Sequence, residues 1–299
     1  MKILNLGSLN IDRVYNLDHF VKAGETLSST GFELHSGGKG LNQAIACKKA
    51  GSDVYFAGKI GNDGLFLNDV LKDSGVNTDY LIVDEEHDTG HSVIQVESGG
   101  QNCIILWGGT NHLITHDDVD SILSHFEKGD ILLLQNEISS MDYIIDKGYE
   151  KGMVIALNPS PLDDKLLAAN LEKVSYFIMN EIEAEQISGH SDPNKAIDRL
   201  KAKYPDSKFV VTLGSAGVKY YDGENVYRHG IYDVKAVDTT AAGDTFTGYF
   251  LNGLLEGKDP MDILAMASKA SAIAVSRPGS GDSVPFKDEV VARDLSVKE

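Results

Sequence analysis

The stretch Asp238-Thr239-Thr240-Ala241-Ala242-Gly243-Asp244-Thr245-Phe246 is where the residue types of this chain bear most directly on chemistry. Ahead of it, Asp233-Val234-Lys235-Ala236-Val237 reads as a short extended segment. Behind it, Phe246, Tyr249, Phe250 and Leu254 follow helical spacing. Small residues therefore stand where the chain turns into a helix, and a ligand can approach their backbone closely. Unpaired amides and the helix dipole make such a turn a seat for anionic oxygens. Asp244 sits in the same first turn. Phosphoryl transfer needs that pairing: an acceptor for a hydroxyl proton beside donors for the charge on the migrating group. An isolated Gly-Asp would be only a helix start with a dipole-compensating acid, but the full run of small residues weighs toward function.

A second cluster, Ser36-Gly37-Gly38-Lys39-Gly40-Leu41-Asn42-Gln43-Ala44, opens a helix that Gly51 closes. It is not a Walker A loop, because Gly40 stands where Ser or Thr must follow the lysine. Glycines with Lys39 and Asn42 at a helix entry suit close contact with a polyol; taken alone, the run is also a glycine-rich turn with a solvated lysine. Upstream, Gly7-Ser8-Leu9-Asn10-Ile11-Asp12 ends the first strand, and Asn10 and Asp12 point the same way if that strand continues. Together these residues make a polar, partly negative pocket for a neutral sugar; Asp12 would repel one already phosphorylated. In the third cluster, Asn180-Glu181-Ile182-Glu183, Asn180 and Glu183 share a helix face. It reads equally as a seat for hydrated Mg²⁺ or as an acidic first turn. Thr212-Leu213-Gly214 is a glycine turn after a strand, and Glu137 follows another. His112/His116 and His87/His91 have four-residue spacing but straddle probable turns, so they weigh little as metal ligands.

The elements that must position these residues alternate. Ile3 to Gly7, Val54 to Ala57, Ile131 to Leu134, Val154 to Leu157, Tyr176 to Met179 and Phe209 to Thr212 are continuous apolar runs, as expected of strands covered on both faces. Helical stretches at 41–50, 64–74, 116–126, 141–150 and 194–203 lie between them, which predicts right-handed crossovers and a mostly parallel sheet. Residues 12–35 and 80–107 break the rhythm with short alternating strands and a Gly99-Gly100 turn, predicting a separate small β-sheet lid. The core is then 1–11, 36–79 and 108–299. The lid's apolar residues would need cover from ligand or a second subunit, and Trp107 within it could cover substrate.

With 299 residues and 42% hydrophobic side chains the chain can bury a large core without staples, and its two cysteines exclude a disulfide framework. A formal charge of −18 argues against nucleic acid and anionic lipid as partners. No apolar run is long enough for a membrane helix and the N-terminal apolar stretch is too short for a signal peptide, so a cytoplasmic protein is expected.

These clusters, in this order, resemble the PfkB family of carbohydrate kinases, its ribokinase branch most closely. Gly24-Glu25-Thr26, Asn158-Pro159 and Arg277 to Pro285 extend the likeness over the whole chain. The resemblance implies a ribokinase-like α/β three-layer sandwich with a mostly parallel sheet and a β lid, joined in a homodimer through that lid. It implies transfer of the γ-phosphoryl group of ATP to a hydroxymethyl group of ribose or a similar neutral pentose. Another neutral sugar, fructose-like, or a nucleoside stacked on Tyr15, Phe32 and Trp107 is the alternative; a non-catalytic sugar sensor is a further one. Asp244 matches the general base, and Ala241, Ala242, Gly243 and Asp244 the anion hole. Asn10, Asp12, Gly38, Lys39, Asn42 and Glu137 match sugar-binding positions. Asn180, Thr212, Gly214, Gly243 and Ser268 fall on the nucleotide side, and Glu183 matches the Mg²⁺-linked acid. Asp238, Thr240, Ala274, Arg277, Gly279 and Ser283 match a monovalent-cation (K⁺) loop.

Overall fold

The computed structural model describes residues 1–298. The chain runs through β1 (Ile3–Leu6), β2 (Asn10–Leu17), β3 (Gly31–Gly37), α1 (Lys39–Lys49), β4 (Val54–Gly61), α2 (Leu65–Asp73) and β5 (Asn77–Asp84). It continues with β6 (Gly90–Glu97), β7 (Asn102–Trp107), α3 (His116–Ser124), β8 (Ile131–Gln135), α4 (Met141–Glu150), β9 (Val154–Asn158) and α5 (Asp164–Leu167). Then come β10 (Tyr176–Asn180), α6 (Glu181–Ser188), α7 (Pro193–Lys203), β11 (Lys208–Thr212), β12 (Val218–Tyr221), β13 (Val226–His229) and β14 (Ile231–Tyr232). Last are α8 (Ala242–Leu255), α9 (Pro260–Val275), α10 (Lys287–Ala292) and β15 (Val297–Lys298).

The apolar runs form one nine-stranded sheet, ordered β13-β12-β11-β10-β9-β8-β1-β4-β5. It is parallel from β11 to β5, with β12 and β13 antiparallel at one edge. Alternate side chains go to opposite faces. Ile3, Ile131, Leu133, Ile178 and Val210 pack under α1, α8 and α9. Leu4, Leu132, Leu134, Ile155, Phe177 and Phe209 pack under α3, α4, α6 and α7. Two apolar faces explain why those strands read as unbroken runs, and they make the three layers. Among the described residues no helix is long and apolar enough to cross a membrane.

A second sheet, β3-β2-β6-β7, stands apart from the first. β2 pairs antiparallel with β3 and parallel with β6, and β6 antiparallel with β7 across a turn in which Gly100 takes φ 83°. Two expectations are corrected. Residues 80–84 belong to β5, which pairs with β4 at the edge of the main sheet. An edge strand is half covered, so its pattern alternates like that of the separate sheet. Residues 233–237 are irregular rather than a strand: the amides of Val237 and Asp238 both bond Val275 O at the end of α9, instead of a neighbouring strand.

Helices α1 and α8 cross at backbone distance. A Cβ added at Gly248 would stand 2.5 Å from Cβ of Ala46 and from the Cys47 amide nitrogen. Gly248→Val should therefore destabilise the protein by about 1–3 kcal/mol through overpacking. The urea midpoint should fall with an unchanged m-value; an unaltered midpoint would contradict the contact.

Candidate active site

The carboxyl ends of β1, β8, β9, β10 and β11 open on one side of the sheet, the side where ligands bind in open α/β folds. The N-termini of α1 and α8 point into the same crevice. Helix α1 reaches it because its first turn lies directly on the β1–β2 turn. Leu41 N donates to Ser8 O at 3.0 Å and Gly40 N to Ser8 Oγ at 3.2 Å. Gly38 caps the helix at φ 98°, where a Cβ would come within 2.8 Å of Ser8 O. A Cβ at Gly40 would collide with the same turn, and one at Gly37 with the Asp12 carboxylate. The three glycines are thus required by close approach.

Asp244 lies in the first turn of α8 and is 8% exposed. Its Oδ1 accepts from Gln43 Nε2 at 2.9 Å and its Oδ2 from Asn42 Nδ2 at 3.2 Å. Burial pushes its carboxyl above the ordinary aspartate range, while the Lys39 charge and the two amides pull the other way. Ala241 precedes the helix at φ 58°, a left-handed conformation rarely adopted by a residue with a Cβ. Thr245 N bonds Ala241 O, so the amides of Gly243 and Asp244 have no acceptor within the helix. The Ala242 amide differs from the expectation: it leans on Thr239 O at 3.3 Å.

On the other side of Lys39 lies Glu137. Its Oε2 accepts from Ser8 Oγ and, at 3.0 Å, from Lys39 N. Burial raises this carboxyl as well, against the charge of Lys39. Asn10 and Asp12 do share a face of β2. Asn10 Oδ1 takes the Asn111 amide at 2.9 Å, and Asp12 Oδ1 takes Ser92 Oγ at 2.6 Å. The same register corrects the part expected of the lid aromatics. Asp12 is level with His35 and Ser92, and Ser92 with Leu106. Trp107 is level with His91 and Ile11, and Tyr15 with Phe32. All three aromatics therefore lie on the face turned away from Asp12 and cannot stack on a ligand beside it.

A cavity of about 460 Å³ between β11 and α9 collects Thr212, Gly214, Gly243 and Ser268 with apolar walls from Val234, Phe246 and Val275. A smaller one of about 290 Å³ shares Thr212, Thr239, Ala242 and Gly243 with it and reaches Lys39, Asn180, Glu183 and Asp244. The two form one trough, less polar at the far end and lined with amides and charge near Asp244. Asn180 and Glu183 form a reciprocal capping box: Glu183 N donates to Asn180 Oδ1, and both Glu183 oxygens are held by Asn180 nitrogens. Each Glu183 oxygen thus accepts one hydrogen bond from Asn180 while the residue borders the smaller cavity. Among the described residues no three His, Cys, Asp or Glu side chains gather to hold a metal.

Asp238 joins two loops. Its Oδ1 takes the Thr240 amide at 2.9 Å and its Oδ2 the Gly279 amide at 3.0 Å. Ala274 O accepts Arg277 N, the Arg277 guanidinium pairs with Glu289, and Ser283 Oγ donates to Ser280 O. The residues expected around a monovalent cation thus lie on two segments that the Asp238–Gly279 bond joins.

Residue patterns did not single out Asn5, Gln135, Ser92 or Asn111, and they left Gln43 without a role. The available signal was a polar residue inside or ending an apolar run, as at Asn5 in Ile3 to Gly7 and Gln135 after Leu134.

Comparison with known proteins agrees with this geometry. The family model of the pfkB family carbohydrate kinases matches residues 1–287. A ribokinase of Bacillus subtilis (strain 168) is 35% identical over 291 residues, covering 95% of this chain and 96% of its own. The crystal structure of a ribokinase from Cryptococcus neoformans var. grubii serotype A in complex with ADP superposes with a TM-score of 0.85 at 31% identity, covering 97% and 98% of the two chains. The Arabidopsis thaliana ribokinase complexed with ribose and ATP gives 0.85 at 29%, covering 97% of each. With a trough, a buried acid and an anion seat in one crevice, the chain belongs to the pfkB family of carbohydrate kinases.

Proposed function

We propose that this kinase transfers the γ-phosphoryl group of ATP to the hydroxymethyl group of ribose, with Asp244 as general base. The observation that carries the reading is the burial of Asp244 at the head of the trough, between Lys39 and the free amides of its own helix turn. The relatives above, one of them complexed with ribose and ATP, support the choice of sugar. So does the turning away of Tyr15, Phe32 and Trp107, which removes these three rings as a platform for a nucleoside base.

In this reading the nucleotide lies along the trough past Thr212, Gly214 and Ser268, with its phosphates directed to the α8 N-terminus. Asn10, Asp12, Gly38, Lys39, Asn42 and Glu137 hold the sugar. Its hydroxyl oxygen forms a bond to the γ-phosphorus as the bond to the bridging oxygen of ADP breaks. The hydroxyl proton passes to a carboxylate oxygen of Asp244, and the amides of Gly243 and Asp244 with Lys39 hold the charge on the moving group. Glu183, which borders the trough, would help hold Mg²⁺ there, and the ion would supply further charge neutralisation. Oxygens of Asp238, Thr240, Ala274, Arg277, Gly279 and Ser283 would hold K⁺ and stiffen the turn without touching substrate.

The small sheet fits a second copy of the chain. All six residues of β7 are exposed, its outer edge is unpaired, and Phe32, Leu34, Ile105 and Trp107 crowd one face. Exposed apolar sheet of this extent calls for cover. Sedimentation should give the mass of a dimer, and Ile105→Lys should shift it toward monomer; a monomeric wild-type protein would overturn this.

A coupled ATP-consumption screen over pentoses, hexoses and nucleosides, with and without K⁺, tests the reaction. Ribose should give the highest kcat/KM, with K⁺ raising turnover; preference for a nucleoside, or no product with any sugar, would reject the assignment. Asp244→Asn should retain sugar binding and lose turnover by roughly 10²-fold or more. In the wild type the acid limb of kcat should lie above the ordinary aspartate pKa of about 3.9, because burial raises Asp244 and the base must be ionised.

The same shift bears on stability. A carboxyl with a raised folded-state pKa binds more protons folded than unfolded in the window between its two pKa values. Its contribution is fully present below the unfolded pKa and is lost as pH rises through the folded one. Asp244→Asn should therefore match wild-type Tm at pH about 3.5 and exceed it at neutral pH by about a degree or two. Asn42 can turn its unpartnered Oδ1 to the new amide. Equal Tm at both pH values would remove the buried-charge argument.

A further inference from the structure

Behind Asp244 a line of four buried amide and carbonyl groups runs away from the crevice. Gln43 Nε2 donates to Asp244 Oδ1 at 2.9 Å, its second proton leaning toward Asn158 Oδ1 at 3.5 Å. Gln43 Oε1 accepts from Gln135 Nε2 at 2.7 Å. The same Gln135 nitrogen donates to Asn5 Oδ1 at 3.1 Å, and Asn5 Nδ2 donates to Gly40 O at 2.7 Å. Gln43, Gln135 and Asn5 are each at most 1% exposed. Neither cavity of the trough is lined by any of them.

Both ends of this line are acceptors: a backbone carbonyl, which cannot turn, and a carboxylate. Asn5 must point its nitrogen at Gly40 O, and Gln43 must point its nitrogen at Asp244. Each then presents oxygen to Gln135. Gln135 can satisfy both only by spending both protons of its one nitrogen, which leaves its own oxygen over. Gln135 Oε1 is in fact buried with no partner, pressed where a Cβ on Gly7 would collide with it. A buried orphan acceptor has lost its hydration with nothing in return, so its presence needs a reason.

We infer that Gln135 is a positioning residue for phosphoryl transfer: by donating to Asn5 and Gln43 from one nitrogen it locks the Gln43 amide with its N–H, never its carbonyl, on Asp244. The inference rests on Asp244 being the base. A donor at Oδ1 keeps that carboxylate ionised and fixes its plane; a carbonyl there would repel it or force it to hold a proton. The charged groups facing Asp244 are Lys39 and Glu137, and neither hydrogen-bonds Gln43 or Gln135. The orphan oxygen is the cost of an orientation that function uses.

The test compares Gln135→Glu and Gln135→Leu with wild type, each first checked for Tm and for binding of ADP. Glutamate has at most one proton where two are needed, so Gln43 turns. At neutral pH kcat should fall about tenfold or more, with KM for sugar and ATP within about threefold. The acid limb of kcat should move to higher pH, so that activity recovers as pH rises. Gln135→Leu, which frees Gln43 without reversing it, should shift both quantities the same way by less, and it carries the comparison alone where the glutamate variant fails to fold. A purely structural role predicts a lower Tm with an unmoved acid limb, and that result, or native kcat in both folded variants, overturns the inference. Asp244→Asn separates the two claims. Near-normal turnover there removes the base itself, whereas an inactive Asp244→Asn beside an unmoved Gln135→Glu profile removes only the positioning role.

Discussion

The structure depends on keeping one negative charge out of water. An isolated carboxylate is too costly to bury, so it must be met by charge and hydrogen bonds from several directions. For Asp244 they come from separate elements. Lys39 and Asn42 stand in the first turn of α1, Gln43 follows on the same helix, and the helix dipole of α8 acts on its own first turn. Only the dipole is local in sequence: about two hundred residues separate Asp244 from Asn42 and Gln43. The site therefore exists only when α1 and α8 are docked. That is the reason for glycine at Gly40 and Gly248, where one face of α1 meets the β1–β2 turn and another meets α8 without intervening side chains.

Compensation at that distance also explains the crowding of carboxylates. Glu137 and Asp244 flank Lys39, and burial raises both. A single ammonium cannot neutralise two acids, so the space around Lys39 is unfavourable to further negative charge. A neutral polyol adds none; a sugar already phosphorylated does. On the small sheet, Asp12 has one oxygen committed to Ser92 and the other lying over Gly37.

Much of this was legible in the residues. Continuous runs such as Ile131 to Leu134 could only be strands with two covered faces, and the small residues before Asp244 could only be a tight helix entry. Register was not legible. Trp107 and Leu106 differ by one position, and a single position decides which face of the small sheet a side chain joins. Residues 80–84 failed for a related reason, since a half-covered edge strand and a strand of the separate sheet carry the same alternation. Glu183 was open between two meanings, and the bonds to Asn180 show that the helix-capping one is fulfilled whatever cation lies beyond it. Gln135 and Asn5 gave only the signal of polarity inside apolar runs. Their partners lie on other strands and helices, so nothing nearby in the sequence could name the network they build.

The turn before α8 shows how strain at the site is sustained. Ala241 holds a left-handed backbone at a cost on the order of 1–2 kcal/mol, and it persists only where its surroundings over-determine it. They do so from three sides. Asp238 ties Thr240 to Gly279, Val275 O gathers the amides of Val237 and Asp238, and Ser271 Oγ bonds Ala242 O from α9. Each tie comes from α9 or the loop that follows it, and that loop also reaches the small sheet, where Ser280 Oγ donates to Ser36 O, level with Ile11. The anion seat is therefore braced both at Ala242 and through the residues just ahead of Ala241, and the loop that braces it is itself bonded to the sheet that carries Asn10 and Asp12.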